Sequence, residues 1–259
     1  MDRSKLGRWA GLAGLALVTS CQRPPASVPA ASVQPSKTRY HCEHHGDHPT
    51  WHATLYVAVD ADTAAGKPVW RRHYRFEEIN IKRGGKFEGT TLVDRATLAT
   101  LETEDFHVRS RGHFVFEPQR IVGTQDDGEG HVTPVTIPIS GFVETGPWNG
   151  LDLWVLSQPL QANYRTRVAL IDDFTPGKTP RDFVVSVERI EPVRVPAGEF
   201  TAYRVLFDPQ DGDQSLRTVY HVRSDGPPLI VRREFIVNPE TTATRKRSIG
   251  VEELEAVER

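Results

Sequence analysis

Two cysteines, Cys21 and Cys42, are all that the 259-residue chain contains. No disulfide framework can hold it, so any fold must rest on its core. Catalytic motifs are missing as well. There is no G-x-S-x-G, no H-E-x-x-H, no C-x-x-C, no phosphate-binding loop and no dinucleotide fingerprint. After residue 20 no run approaches the roughly 20 uncharged apolar residues that a spanning helix needs. Positive charge is not in excess either. The formal net charge is −2, and the body becomes more acidic once Arg3, Lys5, Arg8, Arg23, Lys37 and Arg39 near the N-terminus are set aside. That balance argues against nucleic acid as a partner and against electrostatic adhesion to anionic lipid.

What is present begins at the N-terminus. Arg3, Lys5 and Arg8 precede an apolar run over residues 9–18, followed by Thr19-Ser20-Cys21. A basic start, a short apolar run and a small-residue site make a secretory signal. The ending Leu17-Val18-Thr19-Ser20-Cys21 resembles the lipobox of bacterial lipoproteins, in which the cysteine becomes the lipidated first residue. The resemblance implies a signal peptide over residues 1–20 and lipid attachment at Cys21, with palmitate-type chains as the membrane anchor. Two or three such chains hold firmly where one binds marginally. Gln22, in place of an aspartate, implies the periplasmic face of the outer membrane rather than the inner membrane. Pro24, Pro25, Pro29 and Pro35 then alternate with small residues and no acid, which reads as an extended tether. The expected organisation is a lipidated cysteine with a disordered tether over 21–39 and a single domain over 40–259.

The body is β-patterned nearly throughout. Over residues 51–60, Leu55, Val57 and Val59 alternate with Thr54, Tyr56 and Ala58. About a dozen such runs are separated by turn residues, including Arg111-Gly112, Pro196-Ala197-Gly198 and Asp225-Gly226-Pro227. Pro134 and Pro138 demote the run over 131–139 to a sheet edge. Pro196 fixes φ, Gly198 frees a position from Cβ constraint and Phe200 starts the returning strand, so these three read as a structural turn. Two stretches break the pattern: residues 94–101, which could form one helical turn, and residues 148–160, where Leu151, Trp154, Val155 and Leu156 have near-helical spacing before Pro159. The expected fold is all-β: a large curved antiparallel sheet, an open half-barrel or clam, with one or two short helical segments. A short apolar helix would plug the concave face.

In the C-terminal half a particular order of motifs appears. Residues 152–160 end in Pro159-Leu160; Val195-Pro196-Ala197-Gly198-Glu199-Phe200 follows; then Thr218-Val219-Tyr220-His221-Val222 leads to Pro228-Leu229-Ile230-Val231-Arg232-Arg233-Glu234. This order resembles the bacterial envelope family known as domain of unknown function 3108, with a weaker echo over residues 91–98. The resemblance implies an open, curved antiparallel sheet, similar in outline to the half-barrels that carry lipoproteins through the periplasm, and hence an apolar groove.

Chemistry is concentrated in one other place. Half of the ten histidines lie within residues 41–52, as His41, His44, His45, His48 and His52, beside Cys42, Glu43 and Asp47. Imidazole and thiolate suit zinc, copper or nickel, and a carboxylate can complete a site. The expected metal ligands are His41, Cys42, His44, His45 and His48, although no known zinc spacing is matched. In an extended strand His41, Glu43 and His45 would share one face, Cys42 and His44 the other. The alternative is a solvated lead-in to the first strand, dispensable for folding. His73, His107, His113, His131 and His221 are dispersed among strands, and Asp126, Asp127 and Glu129 read as a hairpin turn.

Three functions are compatible with these residues. The leading one is a non-enzymatic, membrane-tethered envelope protein that needs no cofactor and binds an apolar ligand or a partner protein in a sheet groove. The second is a transition-metal module built on residues 41–52. The third is a hydrolase whose site is assembled from dispersed residues.

Overall fold

The computed structural model describes residues 33–45, 52–77, 86–146, 149–171, 174–213, 216–238 and 248–258. Cys21, the signal and residues 21–32 of the expected tether lie outside them. The chain forms β1 (Ser36–His45), β2 (His52–Ala64), β3 (Lys67–Glu77), β4 (Lys86–Asp94), β5 (Thr100–Val108), β6 (Ser110–Glu117), β7 (Arg120–Asp126), β8 (Val132–Pro138) and β9 (Val143–Thr145). Helix α1 (Leu151–Ser157) follows, then β10 (Arg165–Ile171), β11 (Arg181–Val195), β12 (Gly198–Pro209), β13 (Thr218–Arg223), β14 (Ile230–Asn238) and β15 (Ser248–Glu258).

All of these strands make one open, curved sheet of 15 strands, in the order 8-7-6-5-4-3-2-1-15-14-13-12-11-10-9. The all-β expectation holds. The first and last strands pair at the middle of the sheet, with Lys37 opposite Glu258 and His45 opposite Ile249. From there the chain meanders out to the β8 edge, passes to β9 at the opposite edge, and returns. Every pair is antiparallel except β9 with β10. Pro134 and Pro138 lie in β8, which among the described strands pairs with β7 alone, so the edge reading of that run is correct. Proline cannot donate to a further ladder there.

The sheet curls until its two edges face each other, with no ladder pairing between β8 and β9 among the described residues. Phe114 of β6 stacks on Phe174, beyond β10, at 4.2 Å between ring centroids, beside Ile121, Ile137 and Val143. Glycines permit the curl. A Cβ at Gly89 would meet the Tyr74 ring at 2.4 Å, and one at Gly123 would meet the His113 carbonyl at 2.0 Å. The main core lies inside the curve, where β1–β3 face β11–β15 across α1. Leu151, Leu153, Trp154 and Val155 of the helix are buried, and Trp154 meets Phe207 edge to face.

Three local expectations need correction and a fourth holds. The first strand starts at Ser36, inside the expected tether, because Thr38, Tyr40 and Cys42 alternate inward against Leu55, Val57 and Leu254. Residues 41–45 are therefore part of a central strand, not a lead-in to the first one. Residues 95–97 do form a single helical turn: the Asp94 carbonyl accepts from the Leu98 N–H at 2.8 Å, the Asp94 side chain caps it by accepting from the Ala96 and Thr97 N–H groups, and β5 starts at Thr100. Arg111 and Gly112 sit within β6, paired with Phe106 and Asp105, and the reversal falls earlier, where Val108 has φ +58°.

Candidate functional site

The longest hairpin, β11–β12, reaches across the concave face. Its register slips once after Val187, and its tip docks on β15. There the bulge opposite Arg39 and Tyr40 frees the Leu254 carbonyl, which accepts from the Ala197 N–H at 3.0 Å. Neither Pro196 nor Ala197 has positive φ; the left-handed conformation falls on Gly198, at φ +136°. Phe200, half-buried two residues on, turns toward the interior with the Arg223 guanidinium 5.8 Å from its ring centre. The expected turn thus shapes the roof of a cavity.

That cavity has a volume of about 820 Å³. Its walls are Val57, Val59, Leu153, Leu156, Phe200, Leu229, Ile230 and Leu254, with residues 33–36 along one side. Most of this surface is aliphatic or aromatic. The alternation of β1 and β2 turns Thr38, Tyr40, Val57 and Val59 inward. Leu153 and Leu156 come from successive turns of one face of α1.

The most deeply buried polar part of the cavity belongs to a charge cluster. Asp152, in the first turn of α1, accepts from Arg72 of β3 at 2.6 Å and from Arg233 of β14 at 3.4 Å. Arg233 also pairs with Glu252 of β15. Arg72, Arg233 and Glu252 are almost completely buried. Two cations and two carboxylates balance, as interior charges must. The guanidiniums lie near the faces of Tyr74 and Tyr220. Burial pushes the Tyr40 and Tyr220 hydroxyls well above the usual phenol range, and Tyr40 donates to the Ile230 carbonyl. Only Arg72 and Asp152 of the cluster reach the cavity wall. None of the four was singled out in the sequence as a site residue. The signal was there: Arg72 shares the inward period of Trp70 and Tyr74.

Two further carboxyl groups stand around α1, one half-buried and one fully buried. Asp105 accepts from the Tyr74 hydroxyl and from the Asn149 amide just ahead of the helix, and burial raises its carboxyl pKa. Glu144 of β9 is completely buried and accepts from the Thr100 hydroxyl; desolvation lifts its pKa to about 8.

The expected metal ligands are not brought together as a set. Cys42 lies on the inner face, 1 % exposed, its thiol pushed far up by burial, while His41 lies half-exposed on the outer face. One ion cannot reach both through the sheet. His44 and His45 are backbone members of β1, and His48 lies outside the described residues. On the outer face His41 instead meets Glu43 and His52. The dispersed histidines do not converge. His73 meets Thr90, His107 meets Tyr74, His113 meets Glu102, His131 meets Asp127 and His221 meets Glu191, and none lines the large cavity.

Comparison with known proteins gives one family and a fold. The model of a family described as protein of unknown function (DUF3108) matches residues 49–242. No curated protein matches the chain. Among solved structures, a beta-barrel-like protein of domain of unknown function DUF1849 from Brucella abortus superposes with a TM-score of 0.52 at 11 % identity, covering 86 % of this chain and 96 % of its own. A DUF1329 family protein from Desulfovibrio piger has a TM-score of 0.32 at 13 % identity, covering 88 % of this chain and 86 % of its own. The first likeness is one of fold alone, and the second is too weak to carry an argument.

Proposed function

The chain belongs to the DUF3108 family, and from that premise we propose that it is a lipid-tethered envelope protein that holds an apolar ligand, such as a long acyl chain, inside its curled sheet. The cavity of about 820 Å³ carries this reading. It falls in the range of small-molecule sites, and it has the usual make-up of one: apolar walls with a few fixed polar groups. Arg223, Glu255 and Glu258 also line it, but Arg72 and Asp152 are the most buried of its charged groups, and they are already bound to each other. They would orient a ligand's polar end while the aliphatic wall buries its tail. The protein acts by binding, without catalysis, at the periplasmic face of the outer membrane, anchored through acyl chains on Cys21. The complete basic, apolar and lipobox order of residues 3–21 supports the anchor.

The test is native mass spectrometry of the full chain, combined with displacement of a fluorescent long-chain fatty acid. One equivalent of an acyl ligand should bind saturably. Leu229→Asp, at a half-buried loop position of the wall, should weaken binding at least ~10-fold, the cost of setting a charge against an apolar tail, in a variant that still unfolds cooperatively. Absence of saturable binding, or equal binding by the variant, overturns the reading. For the anchor, Cys21→Ser should leave the membrane pellet after a detergent-free wash; a variant that stays in the pellet refutes it.

A further inference from the structure

The face opposite the cavity carries its own chemistry. β1 is a central strand, paired along its length with β2 and β15. His41 and Glu43 stand two residues apart on it and share its outer face. His52 of β2 is directly opposite Glu43 in the ladder. The three side chains converge: His41 Nε2 lies 2.8 Å and His52 Nδ1 3.4 Å from the same carboxylate oxygen, Glu43 Oε1. All three ligand atoms fall within 4.8 Å of one another. The imidazole rings are tilted by 30° with centroids 5.9 Å apart, flanking the carboxylate.

We infer that His41, Glu43 and His52 form a transition-metal site on the outer face of the sheet, taking one zinc-class divalent ion. The geometry is close to what such an ion needs. With bonds of about 2.0–2.2 Å to nitrogen and oxygen, tetrahedral ligands stand roughly 3.3–3.5 Å apart. The observed separations reach that with small rotations of exposed side chains. Two imidazoles and one carboxylate select zinc, copper or nickel over calcium or magnesium, which prefer oxygen alone. The ligands are 31–55 % exposed, so solvent can complete the coordination shell. They are also held by the backbone of two paired strands, and sites on regular elements are more precisely set than sites on loops. A second cluster, Asp127, Glu129 and His131, lacks this quality. It sits in the exposed β7–β8 turn, where Asp127 already accepts from the Glu129 and His131 N–H groups to shape the reversal. The site is independent of the cavity and does not rest on the proposed function. Cys42, on the other face, takes no part.

Zinc titration of the full chain by calorimetry tests this, alongside cobalt(II) spectroscopy. The tightest site should hold one ion. His41→Ala with His52→Ala should weaken it at least ~10-fold, a floor taken from the effect of removing even outer-shell partners. Cys42→Ala should leave the affinity unchanged, and the cobalt form should lack a thiolate charge-transfer band. Unchanged zinc affinity in the double-histidine variant, loss of affinity in a folded Cys42→Ala, or a thiolate band in the parent would each overturn the assignment. The cobalt spectrum is read on the parent, so the test stands even if a variant fails to fold.

Discussion

At the residue scale the interior is unusual for its charge. A charged residue in a strand normally reads as outward-facing, since unpaired burial is costly. Arg72, Arg233, Glu252 and Glu144 break that rule, and for Arg233, Glu252 and Glu144 no local sequence signal separates them from the solvated arginines and glutamates around them. Only strand period betrays Arg72, and it gains meaning once Asp152 is known to face it. Cys42 is parted from His41 for a related reason: its neighbours in sequence lie on the other side of a sheet. Glu144 makes the most direct prediction. Its carboxyl titrates near 8 in the folded protein because burial disfavours the anion, against 4.5 for an ordinary glutamate. The folded state therefore holds a proton that the unfolded state has already released between those values. Stability from this group is full below about pH 4.5, falls as pH rises, and is lost through pH 8. Each tenfold difference in proton affinity between the two states is worth ~1.4 kcal/mol, so the effect is several kcal/mol. Glu144→Gln, neutral at every pH, should flatten the profile and melt above the parent at pH 8–9. Thermal melts across pH 5–9 would check it; an equally steep decline in the variant would show that another group is responsible.

Elements were read more easily than residues. The near-helical spacing of Leu151, Trp154 and Val155 marked α1, the alternation of Leu55, Val57 and Val59 marked β2, and two prolines marked the β8 edge. β1 escaped because its outer face is polar, so its alternating Thr38, Tyr40 and Cys42 look like part of a solvated segment. Helix α1 is only seven residues long, too short to persist alone; tertiary contacts hold it. Asp152 ties it to both halves of the sheet through Arg72 and Arg233. Asp152→Asn keeps the shape but removes the charge, leaving an excess of buried cation. A loss of about 3–5 kcal/mol is expected for breaking such a pair, measured by denaturant unfolding. A variant within about 0.5 kcal/mol of the parent, the usual range for a surface change, would mean that the cluster is not buried in solution. The hairpin tip makes a second, independent case. A Cβ at Gly198 would meet nothing closer than Phe200 at 3.9 Å, so space is not limiting and the cost lies in the positive φ. Gly198→Ala and Gly198→Val should therefore lose similar amounts, about 1–3 kcal/mol each. A large loss with valine alone would point to crowding and move the strained position elsewhere in the turn.

At the scale of the whole molecule, the sheet is organised around the pairing of its two ends. β1 and β15 are more than 200 residues apart, as Arg39 and Glu255 illustrate with a bond across a separation of 216. Neither strand carries a local mark of the other, because a pairing this distant is decided by the rest of the fold rather than by nearby residues. An all-β sheet with turns was therefore legible, whereas its order was not. That order has a mechanical consequence. β1 is the only described strand hydrogen-bonded to both β2 and β15, so it joins the half running to β8 to the half running to β9. Without it, Leu55 and Val57 of one half and Leu254 of the other lose their shared cover, and two inner ladder edges are left unpaired. The cavity loses Thr38 and Tyr40 as well. A chain that starts at residue 52 should lack a cooperative melt and aggregate, even though it retains 14 of the 15 strands. One that starts at residue 33 keeps β1 and the buried Val33, and should melt with the full chain. Circular dichroism melts of the two truncations decide the point. Cooperative unfolding of the shorter chain at the parent midpoint would mean that the halves are joined by packing around α1, not by the central strand.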